Sequence, residues 1–219
     1  MIPIPLARPG PRAFSLIEIL VALTIMGLSV AAVLTFSLQT LKIYYYDSGR
    51  LMVNRDMRTF TNALANDAVA SNYFRIYPSF QNRTAFVTDG TSGDFLVLAY
   101  TDTNNSAGAY FIARLVGYYR SPSDLTNPSS LGPVRKFDVP IATADQSKDL
   151  PTLINLYVPS TTTANYPVVI QLAQGLSDGT LFYDYRDRSI MVRGQIVDHG
   201  SQGGRAAINT YNFTVSPRG

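Results

Sequence analysis

The chain has 219 residues, of which 46% are hydrophobic and 15% charged, so it can bury a core and is not a disordered polypeptide. It contains no cysteine, which excludes a disulfide framework, a thiolate metal site and a thiol nucleophile; the single histidine, His199, lies in a Gly-rich loop and excludes a cluster of His ligands. The formal charge is +3, and without Arg8 and Arg12 near the N-terminus 16 basic side chains face 15 acidic ones, a balance that predicts no nucleic-acid binding.

The first element is Phe14 to Leu38, a run of 25 residues with one formal charge, longer than the ~20 residues that cross a hydrocarbon core as a helix. Arg8 and Arg12 precede it without acidic neighbours, whereas Lys42, Asp47 and Arg50 beyond it are mixed in sign. The positive-inside bias therefore places residues 1–13 in the cytoplasm and the remainder outside. An ordinary secretory signal has an apolar centre of about 7–15 residues and a small-residue cleavage site. Here apolar character continues past Ala31-Ala32 through Val33, Leu34 and Phe36, with no polar stretch before a cleavage site. Glu18 stands inside the span, where a carboxylate costs about 2.5–3.5 kcal/mol at mid-bilayer and calls for a partner. Its position four residues from Phe14 equally permits snorkelling to the headgroups, and both readings stay open on position alone.

Arg12-Ala13-Phe14-Ser15-Leu16-Ile17-Glu18-Ile19-Leu20-Val21-Ala22-Leu23, with Gly27 beyond, resembles the prepilin cleavage and methylation motif of the type IV pilin-like family. The resemblance covers about thirty residues. It implies that prepilin peptidase cuts between Ala13 and Phe14, that the Phe14 amine is N-methylated, and that Glu18 pairs with the terminal amine of a neighbouring subunit during assembly. The family usually has Gly before the cut; here Ala13 holds that place, and a cut after the nearby Gly10 would carry Glu18 three residues inward and spoil the register. A carboxylate and an ammonium buried together attract strongly, and either alone is heavily penalised, so such a pair acts as a registry device between apolar helices. Pilins often carry a proline in the outer half of the span, where this chain has Thr35 and Phe36; that departure and Leu20-Val21-Ala22-Leu23 tilt the resemblance toward minor pilins and type II secretion minor pseudopilins.

No proline occurs from Phe14 to Tyr77, so one long helix over about 15–72 is expected, on the order of 85 Å at 1.5 Å per residue. A break near Asp47-Ser48-Gly49 is the alternative. Leu41, Tyr45, Met52, Phe60, Leu64 and Ala68 form the expected inward stripe beyond the membrane. Strands are expected at 94–101, 110–119, 152–158, 167–172, 180–185, 189–198 and 208–215, the last with Tyr211, Phe213 and Val215 alternating against Thr210, Asn212 and Thr214. Turn-rich loops fall at 88–93, 121–133, 160–165 and 200–204. The fold class is α+β: a long N-terminal helix, membrane span plus stalk, packed on an antiparallel β-sheet head. The expected organisation is a cytoplasmic leader (1–13), a helix (14–72, spanning at 14–38 with a stalk at 39–72) and an exported β-rich head (73–219).

Asp102 to Gly108 begins like a calcium loop, but Ala107 and Ala113 stand where an EF-hand needs Gly and Glu, and a hairpin turn is the better reading. Asp178, Asp184 and Asp187 are read as solvated strand ends rather than a cation site. Tyr44-Tyr45-Tyr46 is read as an interfacial aromatic belt, and Tyr119 with Arg120, if exposed, as contact anchors. No nucleophile elbow, P-loop or dinucleotide fingerprint is present, so neither an enzyme nor a cofactor is expected. The expected function is structural, as a minor pilin or pseudopilin subunit of a type IV pilus or type II secretion filament. Prepilin peptidase, other pilin or pseudopilin subunits and the cytoplasmic membrane are the expected partners. The alternative is a single-span, membrane-anchored envelope binding protein that does not polymerise.

Overall fold

The structure, a computed structural model, describes residues 15–102, 111–122, 124, 126–127, 130–161, 166–175, 180–198 and 207–218. The chain divides into two compact units, Met1–Tyr45 and Tyr46–Gly219. Helix α1 (Leu16–Ala70), preceded by Ser15, is long and apolar enough to cross a membrane, and none of the described residues covers its most apolar stretch. The hydroxyls of Thr24, Ser29, Thr35 and Thr40 each donate to a carbonyl three or four residues back at 2.8–2.9 Å. Each of these four hydroxyls is thereby satisfied within its own helix, as a hydrocarbon environment favours.

α1 continues through Asp47-Ser48-Gly49 without a break. In the second unit its inward stripe is Gly49, Val53, Phe60, Leu64 and Ala68, with Met57 partly covered. This corrects the expected register: Leu41, Tyr45 and Met52 are exposed, and Val53 takes the place given to Met52. The helix stops where the Ser71 hydroxyl bonds the Ala68 carbonyl (2.7 Å) and the Asn72 N–H turns to the Ala99 carbonyl, feeding the chain straight into the sheet.

The sheet comprises β1 (Tyr73–Tyr77), β2 (Ser92–Gly93), β3 (Phe95–Asp102), β4 (Phe111–Arg120), β5 (Gly132–Pro140), β6 (Val168–Gly175), β7 (Phe182–Tyr185), β8 (Ser189–Asp198) and β9 (Ala207–Val215). All pairings are antiparallel, in the order β1-β3-β4-β5-β6-β8-β7-β2, with β9 on β8. β9 shows the alternation expected of it, Tyr211 and Val215 buried against exposed Thr210, Asn212 and Thr214. β3 is buried on both faces. Leu96 and Leu98 meet α1, while Phe95, Val97 and Ala99 meet a second cluster built with α2 (Leu150–Tyr157). The unit is therefore layered helix, sheet, helix, and its central strand reads as a continuous apolar run because neither face is wet.

α2 overturns the strand expected at 152–158. The Asp149 side chain accepts the Thr152 N–H at 3.2 Å as N-cap, Pro151 sits in the first turn where its missing N–H is harmless, and Leu150, Leu153 and Ile154 bury one face. β1, β2 and β5 were not expected. β5 is bracketed by Pro133 and Pro140 and its register shifts at Val134, which breaks the period-2 pattern. α1 is fastened to the sheet by Asp67: its carboxylate meets the Tyr118 hydroxyl and the Lys136 ammonium, and its carbonyl accepts from the Tyr100 hydroxyl at 2.7 Å. At Gly93 a Cβ would collide with the Tyr77 carbonyl, so only glycine lets β2 lie against the end of β1.

Candidate functional site

The first turn of α1 is closed by a reciprocal pair. The Ser15 N–H donates to Glu18 Oε2 at 2.9 Å, and the Glu18 N–H donates to Ser15 Oγ at 3.3 Å. This is a capping box: two N–H groups that the helix leaves orphaned are each met by a side chain. The helix dipole adds favourable positive potential for the Glu18 carboxylate. Beside it, Ile17, Val21, Ala22 and Ile25 line a shallow groove of about 320 Å³ on the helix surface. These positions fall at i, i+4, i+5 and i+8, on one face, with the small Ala22 leaving the hollow. The Ser15-x-x-Glu18 spacing is itself a capping signature. Ala13 and Phe14 lie outside the described residues.

In the head, the residues singled out as contact anchors are interior. Tyr119 and Arg120 are both fully buried, which excludes them from a surface role. Arg120 Nη2 and Nε donate to Asp94 Oδ2 at 2.6 and 3.0 Å, and Nη1 donates to the Ser130 carbonyl at 2.6 Å. Asp94 Oδ1 accepts the Leu181 N–H at 2.9 Å. Burial raises the Asp94 carboxyl above its ordinary value, and the Arg120 guanidinium pulls it back down.

Of the three aspartates read as solvated strand ends, Asp178 lies outside the described residues and Asp184 is only 3% exposed. The Asp184 carboxylate accepts the Asp187 N–H at 3.0 Å, beside the three-residue turn that joins β7 to β8, in which Arg186 and Asp187 both have positive φ (59° and 53°). Such a turn matches the twist of a hairpin but strains non-glycine residues. Burial first, then the Asp187 and Asp89 charges, push the Asp184 carboxyl up to about 6 from an ordinary 3.8. The folded state thus binds a proton that the unfolded chain releases, and stability from this group is complete below about pH 4 and lost as pH rises through about 6. Asp184→Asn, which keeps the acceptor and cannot ionise, is expected to flatten the unfolding profile between pH 4 and 7 relative to the native chain. Parallel profiles would contradict this.

Among the described residues no group of three or more His, Cys, Asp or Glu side chains is placed to hold a metal. His199 and residues 103–110 of the calcium-like loop lie outside the described residues, and Asp102 ends β3. Tyr44, Tyr45 and Tyr46 are exposed on α1.

Residues 8–34 fit the family model described as the prokaryotic N-terminal methylation motif. The segment is therefore a prepilin-type signal of the type IV pilin-like kind, and it runs directly into a helix long enough to anchor the chain in a membrane. Neither the curated proteins nor the solved structures gave a match.

Proposed function

We propose that the chain is a structural subunit, a minor pilin or pseudopilin, of a type IV pilus or type II secretion filament. The observation that carries this reading is the methylation motif at 8–34 leading into an apolar helix surface that none of the described residues covers. In this account residues 1–13 are a cytoplasmic leader, 14–38 span the cytoplasmic membrane, 39–72 form the stalk and 73–219 form the exported head. Prepilin peptidase cuts between Ala13 and Phe14, and Phe14 is methylated. Glu18 then meets the terminal amine of a neighbour, and the groove at Ile17, Val21, Ala22 and Ile25 receives a neighbour's apolar side chains. Van der Waals packing supplies the attraction between helices in lipid, and the charged pair selects the axial offset. The role is scaffolding rather than catalysis.

Placing the photoreactive amino acid p-benzoylphenylalanine at Ile25 tests this in the native membrane. Irradiation is expected to join the chain to other pilin-like subunits only when the assembly machinery is present. Adducts confined to lipid in both backgrounds would instead favour an anchored binding protein that does not polymerise.

A further inference from the structure

The head carries a cleft of about 520 Å³ that the assembly reading does not use. Three segments distant in sequence form it: the start of β1, the turn between β7 and β8, and the residues that follow β9. Each contributes an arginine, respectively Arg75, Arg188 and Arg218. None of the three takes part in the ion pairs found among the described residues. Arg75 makes a long 3.4 Å bond to the Phe74 carbonyl and lies 4.8 Å over the Phe86 ring, which holds the guanidinium in place while leaving most of its five donors unspent. Asp187 is the one carboxylate among the lining residues, and it neighbours Asp184 behind the strained turn. The cleft therefore gathers three positive charges against one negative.

Polar neutral groups complete the lining. Ser189 and Ser216 share a 2.7 Å hydrogen bond between their hydroxyls, which leaves one hydroxyl hydrogen to offer outward. Asn72 accepts the Thr101 N–H through its carbonyl oxygen at 2.8 Å, an arrangement that fixes its amide and keeps the NH₂ as a donor. Serine hydroxyls, an amide NH₂ and guanidinium forks are all donors, and donors lining one cleft with net positive charge select an oxyanion. The supports are rigid, since Tyr73 pairs with Ala99 in the sheet and Ile190 pairs with Val215 just inside Ser189 and Ser216. The volume lies within the roughly 300–1,000 Å³ of small-ligand sites.

We propose that this cleft binds a compact polyanion, a small molecule presenting two or more phosphate or carboxylate groups. A single monovalent anion would satisfy one guanidinium and leave the others mutually repelling, whereas two linked oxyanions span them. The confinement of the three arginines to one cleft, with the Asp187 carboxylate among them, favours a compact ligand over a nucleic-acid strand, which needs an extended basic track.

Isothermal titration of the full chain in mild detergent, at low ionic strength, tests the proposal with pyrophosphate, citrate and inorganic phosphate as probes. Saturable binding of pyrophosphate or citrate at one per chain is expected, at least tenfold tighter than inorganic phosphate. Preference for pyrophosphate identifies a phosphorylated ligand, and preference for citrate a carboxylated one. Arg188→Gln and Arg218→Gln, both on exposed residues, are each expected to weaken binding about tenfold, the effect of one lost charge-assisted hydrogen bond. Arg58→Gln, on the exposed side of α1, should leave it unchanged. Failure of both polyanions to saturate, affinity that survives Arg188→Gln with Arg218→Gln, or binding of a DNA duplex without either small polyanion would overturn the proposal.

Discussion

Replacing Arg120 by alanine is expected to destabilise the head by about 3–5 kcal/mol, the effect of stranding one member of a buried ion pair. The Arg120 side chain is 0% exposed and that of Asp94 4%, so water cannot replace the lost guanidinium. Asp94 would keep the Leu181 N–H but lose two charge-assisted bonds, and the Ser130 carbonyl would lose its donor. Four chain segments meet at this pair: the residue before β3, the end of β4, the segment before β5 and the residue before β7. For a chain of this size the loss corresponds to a fall in Tm of roughly 6–20 °C. A double change, Asp94→Leu with Arg120→Met, removes both charges and should recover much of it, because a buried pair and its apolar replacement differ little in net stability. Thermal unfolding of the three chains in the same detergent measures both effects. A single variant within about 1 kcal/mol of the native chain, or a double variant no better than the single, would contradict the role given to the pair.

Glu18→Ala is expected to abolish incorporation into the filament while leaving the protein in the membrane. Two functions meet at this carboxylate, and they can be separated. In the subunit by itself Glu18 closes the capping box with Ser15, worth about 0.5–2 kcal/mol of local helix stability. In the assembly account it also neutralises a neighbour's terminal ammonium, and an unpaired charge there is worth about 3–5 kcal/mol, or roughly two to four orders of magnitude in the equilibrium. Glu18→Gln distinguishes them, since a glutamine oxygen still accepts the Ser15 N–H but carries no charge. If charge pairing is decisive, Gln and Ala variants fail alike in co-assembly with native subunits. Normal incorporation of the Gln variant would reduce Glu18 to a helix cap.

The N-terminal half of the account was readable in the sequence because the membrane imposes a one-dimensional rule. A run from Phe14 to Leu38 with a single charge and an upstream pair of arginines needs no tertiary information. The capping box was equally local. The stripe on the second half of α1 was read one residue out at Met52, since an exposed Met52 and a buried Val53 differ only in what the sheet places opposite them. Asp149-Leu150-Pro151 marks a helix start, whereas the aliphatic content of 152–158, read by itself, gives a strand. Arg120 misled for another reason. A charged residue beside Tyr119 reads as surface, and only the long-range partner Asp94, 26 residues earlier, makes its burial tolerable. The arginine cleft joins positions 75, 188 and 218, and no local pattern connects residues that meet only when β1, β8 and β9 are in place.

The central claim is that the chain is a processed filament subunit, and the mature N-terminus tests it most directly. Intact mass and N-terminal sequencing of the protein purified from its own membrane should give a chain that begins at N-methylated Phe14, with Met1 to Ala13 removed. A chain that retains Met1, or begins beyond Ala32, would contradict the account and leave an anchored or secreted binding domain in its place.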